Sequence, residues 1–166
     1  MPHASSVEQG TALLRTWVER CQSRGTGHPV SKSPPAPEPA VAPGSRARIL
    51  IVDDDPGIVS LLKGFLESKG YETITASDGD EALRQVWQEK PKVVLLDICM
   101  PRKGGLEVLK EIKLYHKDVG VIIVTAVEDE AVESDALRMG AFDYILKPFD
   151  LQYLEKVLWW KLRLMD

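Results

Sequence analysis

Cysteine is scarce in this chain of 166 residues, and the two present, Cys21 and Cys99, lie far apart. That excludes a disulfide framework or a zinc-type pair and points to a reducing cytoplasm. Basic residues are not in excess: 21 Lys and Arg against 25 Asp and Glu leave a formal charge of −4. Bulk electrostatics therefore offers no nucleic-acid footprint. No apolar run approaches the length that crosses a bilayer, and the basic-then-apolar pattern of a secretory signal is missing, so no membrane partner is expected. The chain does have apolar content, 44% of residues, enough for the core of one ordinary domain.

Three segments read as different material. Residues 1–24 carry a candidate amphipathic helix, with Ser5 and Glu8 at capping-box spacing and Leu13, Leu14, Trp17, Val18 and Cys21 on one face. Standing alone it would be marginal, so this segment is either a docking helix or a disordered arm. Residues 25–45, which include GTGHPVSKSPPAPEPAVAPG, are too rich in proline and small residues to bury a core and read as a flexible linker. Residues 46–166 hold the acidity: their charge is −5, against +1 for the first 45.

Within 46–166, apolar strand and amphipathic helix alternate five times. Asp55-Pro56 caps a first helix and Gly70 closes it. Asp78 and Glu81 open a second, which must end before Pro91. Gly104-Gly105 precede a third, reaching about Tyr115. A fourth spans Glu128 to Met139, stopped by Gly140, and a fifth runs from Leu151 to about Met165. The first, third and fourth apolar runs are continuous, as expected of parallel strands covered on both faces; the polar run near Glu72 to Ala76 belongs at an edge. Right-handed crossovers then predict a three-layer α/β sandwich.

Each run ends in a residue suited to phosphate chemistry. Ile49–Val52 ends in Asp53-Asp54-Asp55, Val93–Leu96 in Asp97, Val121–Val124 in Thr125, and Tyr144–Leu146 in Lys147-Pro148. In a parallel sheet these groups converge on one edge, where open α/β sheets bind ligands. Three like charges at that edge invite a hard divalent cation, and Mg²⁺ fits a shallow site of few carboxylates. Lys147 offers a cation for phosphoryl oxygens and Thr125 a hydroxyl. Asp97, on the central strand, is the best candidate nucleophile for an aspartyl phosphate, leaving Asp53 and Asp54 to hold metal. Asp55 alone reads as a helix cap. His3, His28 and His116 have no partners at metal spacing and read as solvated.

The strings ILIVDDDPGI, VVLLDICMPRKGGLEVL, VIIVTAVEDE and GAFDYILKPF, in this order and spacing, resemble the receiver domain of two-component response regulators. The resemblance covers residues 46–166 and implies a flavodoxin-like, five-stranded parallel sheet in order 2-1-3-4-5 with five helices. It implies that Asp97 takes a phosphoryl group from a sensor histidine kinase or phosphotransfer protein. Asp53, Asp54, Asp97 and the carbonyl of Cys99 would hold Mg²⁺, and Lys147 would contact the phosphoryl group beside a cis bond to Pro148. Thr125 and Tyr144 match the family's switch pair, read out through helix 4, strand 5 and helix 5 to a downstream protein target or a homodimer. Cys99 and Val127 would flank the phosphoryl group and control water access. Gly104 departs from the Asp or Ser often found there, and Cys99 is an uncommon side chain at its position.

The expected role is thus a phospho-acceptor signalling domain that assists only its own phosphorylation and dephosphorylation. After Lys147-Pro148-Phe149 only the last helix remains, so output is expected through protein contacts or the N-terminal arm, or else the chain is a fragment of a longer regulator. That helix carries two apolar stripes. Leu151, Leu154, Leu158, Leu162 and Met165 should face the sheet, while Tyr153, Val157, Trp160 and Leu164 form a second row that reads as a contact face. One alternative is a phosphatase resembling the haloacid dehalogenases, with Asp53 as nucleophile, although Pro56-Gly57 replaces that family's Gly-Thr and no later acidic pair follows Lys147. Another is a receiver-like scaffold that is never phosphorylated.

Overall fold

Residues 47–165 are described by the structure, a computed structural model. The expectations for residues 1–24 and 25–45, and for His3, His28 and Cys21, lie outside them. The apolar runs form strands β1 (Arg48–Val52), β2 (Glu72–Ala76), β3 (Val93–Leu96), β4 (Gly120–Thr125) and β5 (Asp143–Leu146). Between and after them run helices α1 (Pro56–Ser68), α2 (Gly79–Glu89), α3 (Gly105–Tyr115), α4 (Glu130–Arg138) and α5 (Leu151–Met165). All strand pairs are parallel, in the order β2-β1-β3-β4-β5. β2 is an edge strand, and its alternating Glu-Thr-Ile-Thr-Ala sequence suits partial exposure.

Strand alternation splits the core in two. Leu50, Val52, Val94, Leu96, Val121 and Ile123 pack with Ala82, Val86, Val108, Leu109, Ile112 and Ala136 of α2, α3 and α4. Ile49, Ile51, Leu95 and Ile122 are equally buried and alternate with them, toward the face of Leu62, Leu66, Leu154 and Leu158 on α1 and α5.

Helix starts follow side-chain capping. Asp55 accepts the Gly57 N–H, and Asp78 accepts that of Glu81. α4 begins at Glu130 rather than Glu128, because Asp129 accepts the N–H groups of Ala131 and Val132 and so fixes the first turn. α3 starts at Gly105 with Gly104 as its cap residue, which offers no side-chain bond.

The expectation for α5 is corrected in one respect. Val157 is 2% exposed and joins Leu154 and Leu158 in the buried seam, while Leu151, Leu162 and Met165 are only partly covered. The i, i+3, i+4 row that meets the sheet is therefore turned toward Val157. The outer row reduces to Trp160 and Leu164, 40% and 45% exposed, with Tyr153 half-buried. A glutamate at 157 would sit in the core, so an outer contact face is tested by substitution at Trp160 or Leu164 and not at Val157.

His116 is only partly solvated. Its ring stands edge-on to Trp87 at a centroid distance of 4.8 Å, and its buried Nε2 has no hydrogen-bond partner among the described residues. No helix among the described residues is long and apolar enough to cross a membrane.

Candidate functional site

Register alone carries the site together. Val52 pairs with Leu96, Leu96 with Ile123, and Thr125 with Leu146. The residues that follow, Asp53, Asp97 and Lys147, therefore leave the sheet at the same edge, beside Thr125. Two ladder bonds continue past the strand ends and hold the acidic backbone: Asp53 N–H donates to the Ala76 carbonyl at 3.2 Å and Asp97 N–H to that of Val52 at 3.0 Å. The Lys147 N–H donates to the Thr125 carbonyl at 2.8 Å, tying the fifth strand's end to the fourth.

Carboxylate oxygens of Asp53, Asp54 and Asp97 all lie within 4.8 Å of one another. Asp53 and Asp97 are buried, 4% and 5% exposed, while Asp54 is open to water. The Lys147 ammonium bridges the buried pair, 2.6 Å from Asp53 Oδ2 and 3.1 Å from Asp97 Oδ2. The remaining oxygens are aimed by backbone: Asp55 N–H donates to Asp53 Oδ1 at 2.9 Å and Cys99 N–H to Asp97 Oδ1 at 3.1 Å. The peptide bond between Lys147 and Pro148 is cis. Cys99 itself is exposed at the rim.

Electrostatics here is a contest between burial and pairing. Burial pushes the Asp53 carboxyl above the ordinary carboxylate range; the hydrogen bonds from Lys147 and Asp55 oppose it, and the Asp97 charge adds to it. For Lys147, burial works against the ammonium, but the bonds to Asp53 and Asp97 outweigh it and hold its pKa above the ordinary lysine range. One ammonium shared by two carboxylates offsets a single charge of the three, so the cluster retains negative charge. Hard oxygen donors at this spacing, one open to solvent, are the donor set a small divalent cation prefers.

Thr125 is fully buried, and its Oγ1 accepts the Val127 N–H at 3.4 Å. Tyr144 is 8% exposed, and its hydroxyl donates to the Val127 carbonyl at 2.6 Å. Thr125 and Tyr144 thus hold the two ends of one residue. Sequence reasoning paired Thr125 with Tyr144 but missed Val127 as their link, because both side chains meet its backbone N–H and carbonyl, which leaves no trace in residue type. It also missed the bond from the Tyr153 hydroxyl to the Asp143 carboxylate at 3.4 Å.

Residues 49–158 match the family model described as the response regulator receiver domain. The chain is 42% identical over 102 residues to the alkaline phosphatase synthesis transcriptional regulatory protein PhoP of Bacillus subtilis, covering 61% of this chain and 42% of PhoP. It is 40% identical over 111 residues to the regulatory protein AtoC of Escherichia coli, covering 67% of this chain and 24% of AtoC. The chain therefore spans less than half the length of these two curated relatives. Among solved structures, a CheY-like response regulator receiver domain protein from Methanospirillum hungatei superimposes with a TM-score of 0.71 at 33% identity, over 73% of this chain and 97% of that one. A CheX–CheY–BeF3–Mg complex from Borrelia burgdorferi does so with a TM-score of 0.65 at 33% identity, over 68% and 86%. With the strand order and the matched family model in agreement, this chain belongs to the receiver-domain family of two-component response regulators.

Proposed function

We propose that Asp97 is the phospho-acceptor of this receiver domain. The observation that carries the reading is the Lys147 ammonium bridging Asp53 and Asp97 inside a triad of carboxylates. Asp53, Asp54, Asp97 and the carbonyl of Cys99 would hold Mg²⁺, which when bound supplies charge neutralisation for an incoming phosphoryl group. One Asp97 carboxylate oxygen forms the new P–O bond, while the donor's P–N bond breaks and its electron pair stays on the imidazole of a phosphohistidine. Lys147 donates to the phosphoryl oxygens. The Thr125 hydroxyl, whose oxygen accepts from Val127, keeps its proton available for the same purpose.

The donor is a sensor histidine kinase or phosphotransfer protein in the cytoplasm. Turning the Thr125 hydroxyl toward the phosphoryl group alters its hold on Val127, and through Val127 the position of Tyr144. That local charge event biases the face of α4, β5 and α5, where a downstream protein or a second copy would be bound. Cys99 and Val127 flank the phosphoryl group and set water access. The domain assists only its own phosphorylation and dephosphorylation.

Incubation with Mg²⁺ and acetyl phosphate tests this by mass spectrometry of the intact protein. Wild type and Asp53→Asn should differ in rate, with one phosphoryl mass gained by wild type, and Asp97→Asn should gain none. Turnover of a phosphate ester that is lost in Asp53→Asn would favour the phosphatase reading. No mass gain from either acetyl phosphate or a phosphorylated kinase would favour the scaffold.

A further inference from the structure

Lys113 on α3 and Lys161 on α5 converge where β4 begins, at the end of the sheet opposite the acidic edge. Both side chains reach the Val119–Gly120 peptide. The Lys113 ammonium donates to the Val119 carbonyl at 2.7 Å. The Lys161 stem lies across Gly120, where an added Cβ would come within 2.5 Å of its Cε and 3.1 Å of its Cγ. Glycine at 120 is what gives that stem its room.

Neither ammonium has a carboxylate to pair with. Lys161 Nζ stands 4.9 Å from the centre of the Phe142 ring, and neither lysine forms an ion pair among the described residues. Both are half-buried. Burial pushes the Lys113 ammonium below the ordinary lysine range, the Lys161 charge adds to that, and the Asp118 charge opposes it. Burial lowers Lys161 as well. Two like charges without a counter-ion thus share one partly dry corner of the fold.

We propose that Lys161 is a site of reversible carbamylation by carbon dioxide, with the Lys113 ammonium as counter-ion of the carbamate. The lone pair of the neutral Lys161 amine forms the new N–C bond. One C=O π pair moves onto oxygen as the carboxylate charge, and the nitrogen gives up a proton to water. The charge at 161 passes from positive to negative, so repulsion between the two lysines becomes attraction. A bound inorganic anion would meet the same pair but leave both lysines charged against burial. Carbon dioxide is small and uncharged, so it enters this corner without an ion's desolvation cost. Lys161 is the acceptor of the two: the Val119 carbonyl holds the Lys113 ammonium, whereas Lys161 Nζ has no hydrogen bond among the described residues. The carbamate joins α3 to α5 around the end of the sheet, a link made or lost with the supply of carbon dioxide.

The test equilibrates the full chain with ¹³C-labelled bicarbonate and carbon dioxide at mildly alkaline pH, traps carbamates with triethyloxonium, and maps them by tandem mass spectrometry. Trapped label at Lys161 should exceed that at the exposed Lys63 and Lys156 by about fivefold. Lys113→Met should lower the Lys161 occupancy about threefold, and Lys113→Arg, which keeps the charge, should hold it near wild type. A carbamate ¹³C resonance of the untrapped protein should vanish in Lys161→Arg. Label at Lys161 no greater than at Lys63 and Lys156, or label concentrated on Lys113, overturns the proposal. So does an occupancy that Lys113→Met leaves unchanged while thermal melts show that variant folded. The comparison among lysines is made within wild type, so it decides the matter even where a variant fails to fold.

Discussion

Lys147→Met will lower the unfolding free energy by about 2–4 kcal/mol in magnesium-free buffer, and millimolar Mg²⁺ will restore part of the loss. The side chains of Lys147, Asp53 and Asp97 are 17%, 4% and 7% exposed, so the pairing is made largely out of water. Removing the ammonium leaves two buried carboxylates facing each other, with Asp54 adding a third charge. Water at the open side of the cluster keeps the cost toward the low end of a fully buried pair. A divalent cation held by the same oxygens would replace the missing charge, which is why the metal should rescue the variant more than it helps wild type.

The pH dependence follows from the directions of the shifts. Lys147 is held above the ordinary lysine range, so its stabilisation is fully present below that range and is lost as pH rises through its folded pKa. Asp53 is raised, so the fold binds its proton more readily than the unfolded chain does, and stability from this group rises as pH falls through the raised pKa. In Lys147→Met the bond and charge of Lys147 no longer restrain Asp53, only the Asp55 N–H does, and its pKa rises further. The stability gap between variant and wild type should therefore be largest at neutral pH and shrink on acidification. Urea titrations with and without EDTA across that range measure it.

Gly105→Ala is the second large effect, about 2–3 kcal/mol of destabilisation, accompanied by slower phosphorylation. A Cβ at 105 would fall on the carbonyl oxygen of Asp97 and within 2.6 Å of Ile98 Cα. Both obstacles are backbone, so neither can rotate away. Gly105 N–H also donates to the Ile98 carbonyl at 3.0 Å, which pins the start of α3 under the loop that aims Asp97. Relief requires moving that loop, and with it the Cys99 N–H that holds Asp97 Oδ1. Gly104→Ala is the matched control. Nothing lies within 4 Å of its added Cβ, and its φ of −67° suits alanine. Its cost should stay below about 1 kcal/mol, arising from alanine's poorer capping. Paired thermal melts and phosphorylation rates distinguish the two.

Much of this was legible in sequence because parallel sheets write themselves plainly. Val93–Leu96 and Val121–Val124 have no polar residue to confuse strand with helix, and Asp55-Pro56, Gly70 and Gly140 punctuate the helices. Once the runs are strands of one sheet, Asp53, Asp97, Thr125 and Lys147 must share an edge. What stayed hidden depends on rotation or on backbone groups. The rows of α5 differ by a fraction of a turn, and periodicity placed Val157 outside where packing puts it inside. His116 reads as a surface residue until α2 brings Trp87 against its ring. The start of α4 turned on which of Glu128, Asp129 and Glu130 caps, and an aspartate side chain is the one short enough to reach the first-turn N–H groups. Lys147 was legible as a phosphoryl contact, but its bridge between Asp53 and Asp97 emerges only from the register of β1, β3 and β5.

The measurement that bears most directly on the account is the position of the phosphoryl group. Borohydride reduction of the phosphorylated protein converts an aspartyl phosphate to homoserine, and peptide sequencing by tandem mass spectrometry locates it. The account predicts homoserine at position 97, dependent on Mg²⁺ during phosphorylation. Homoserine at position 53, or label on a residue outside the acidic edge, would contradict it.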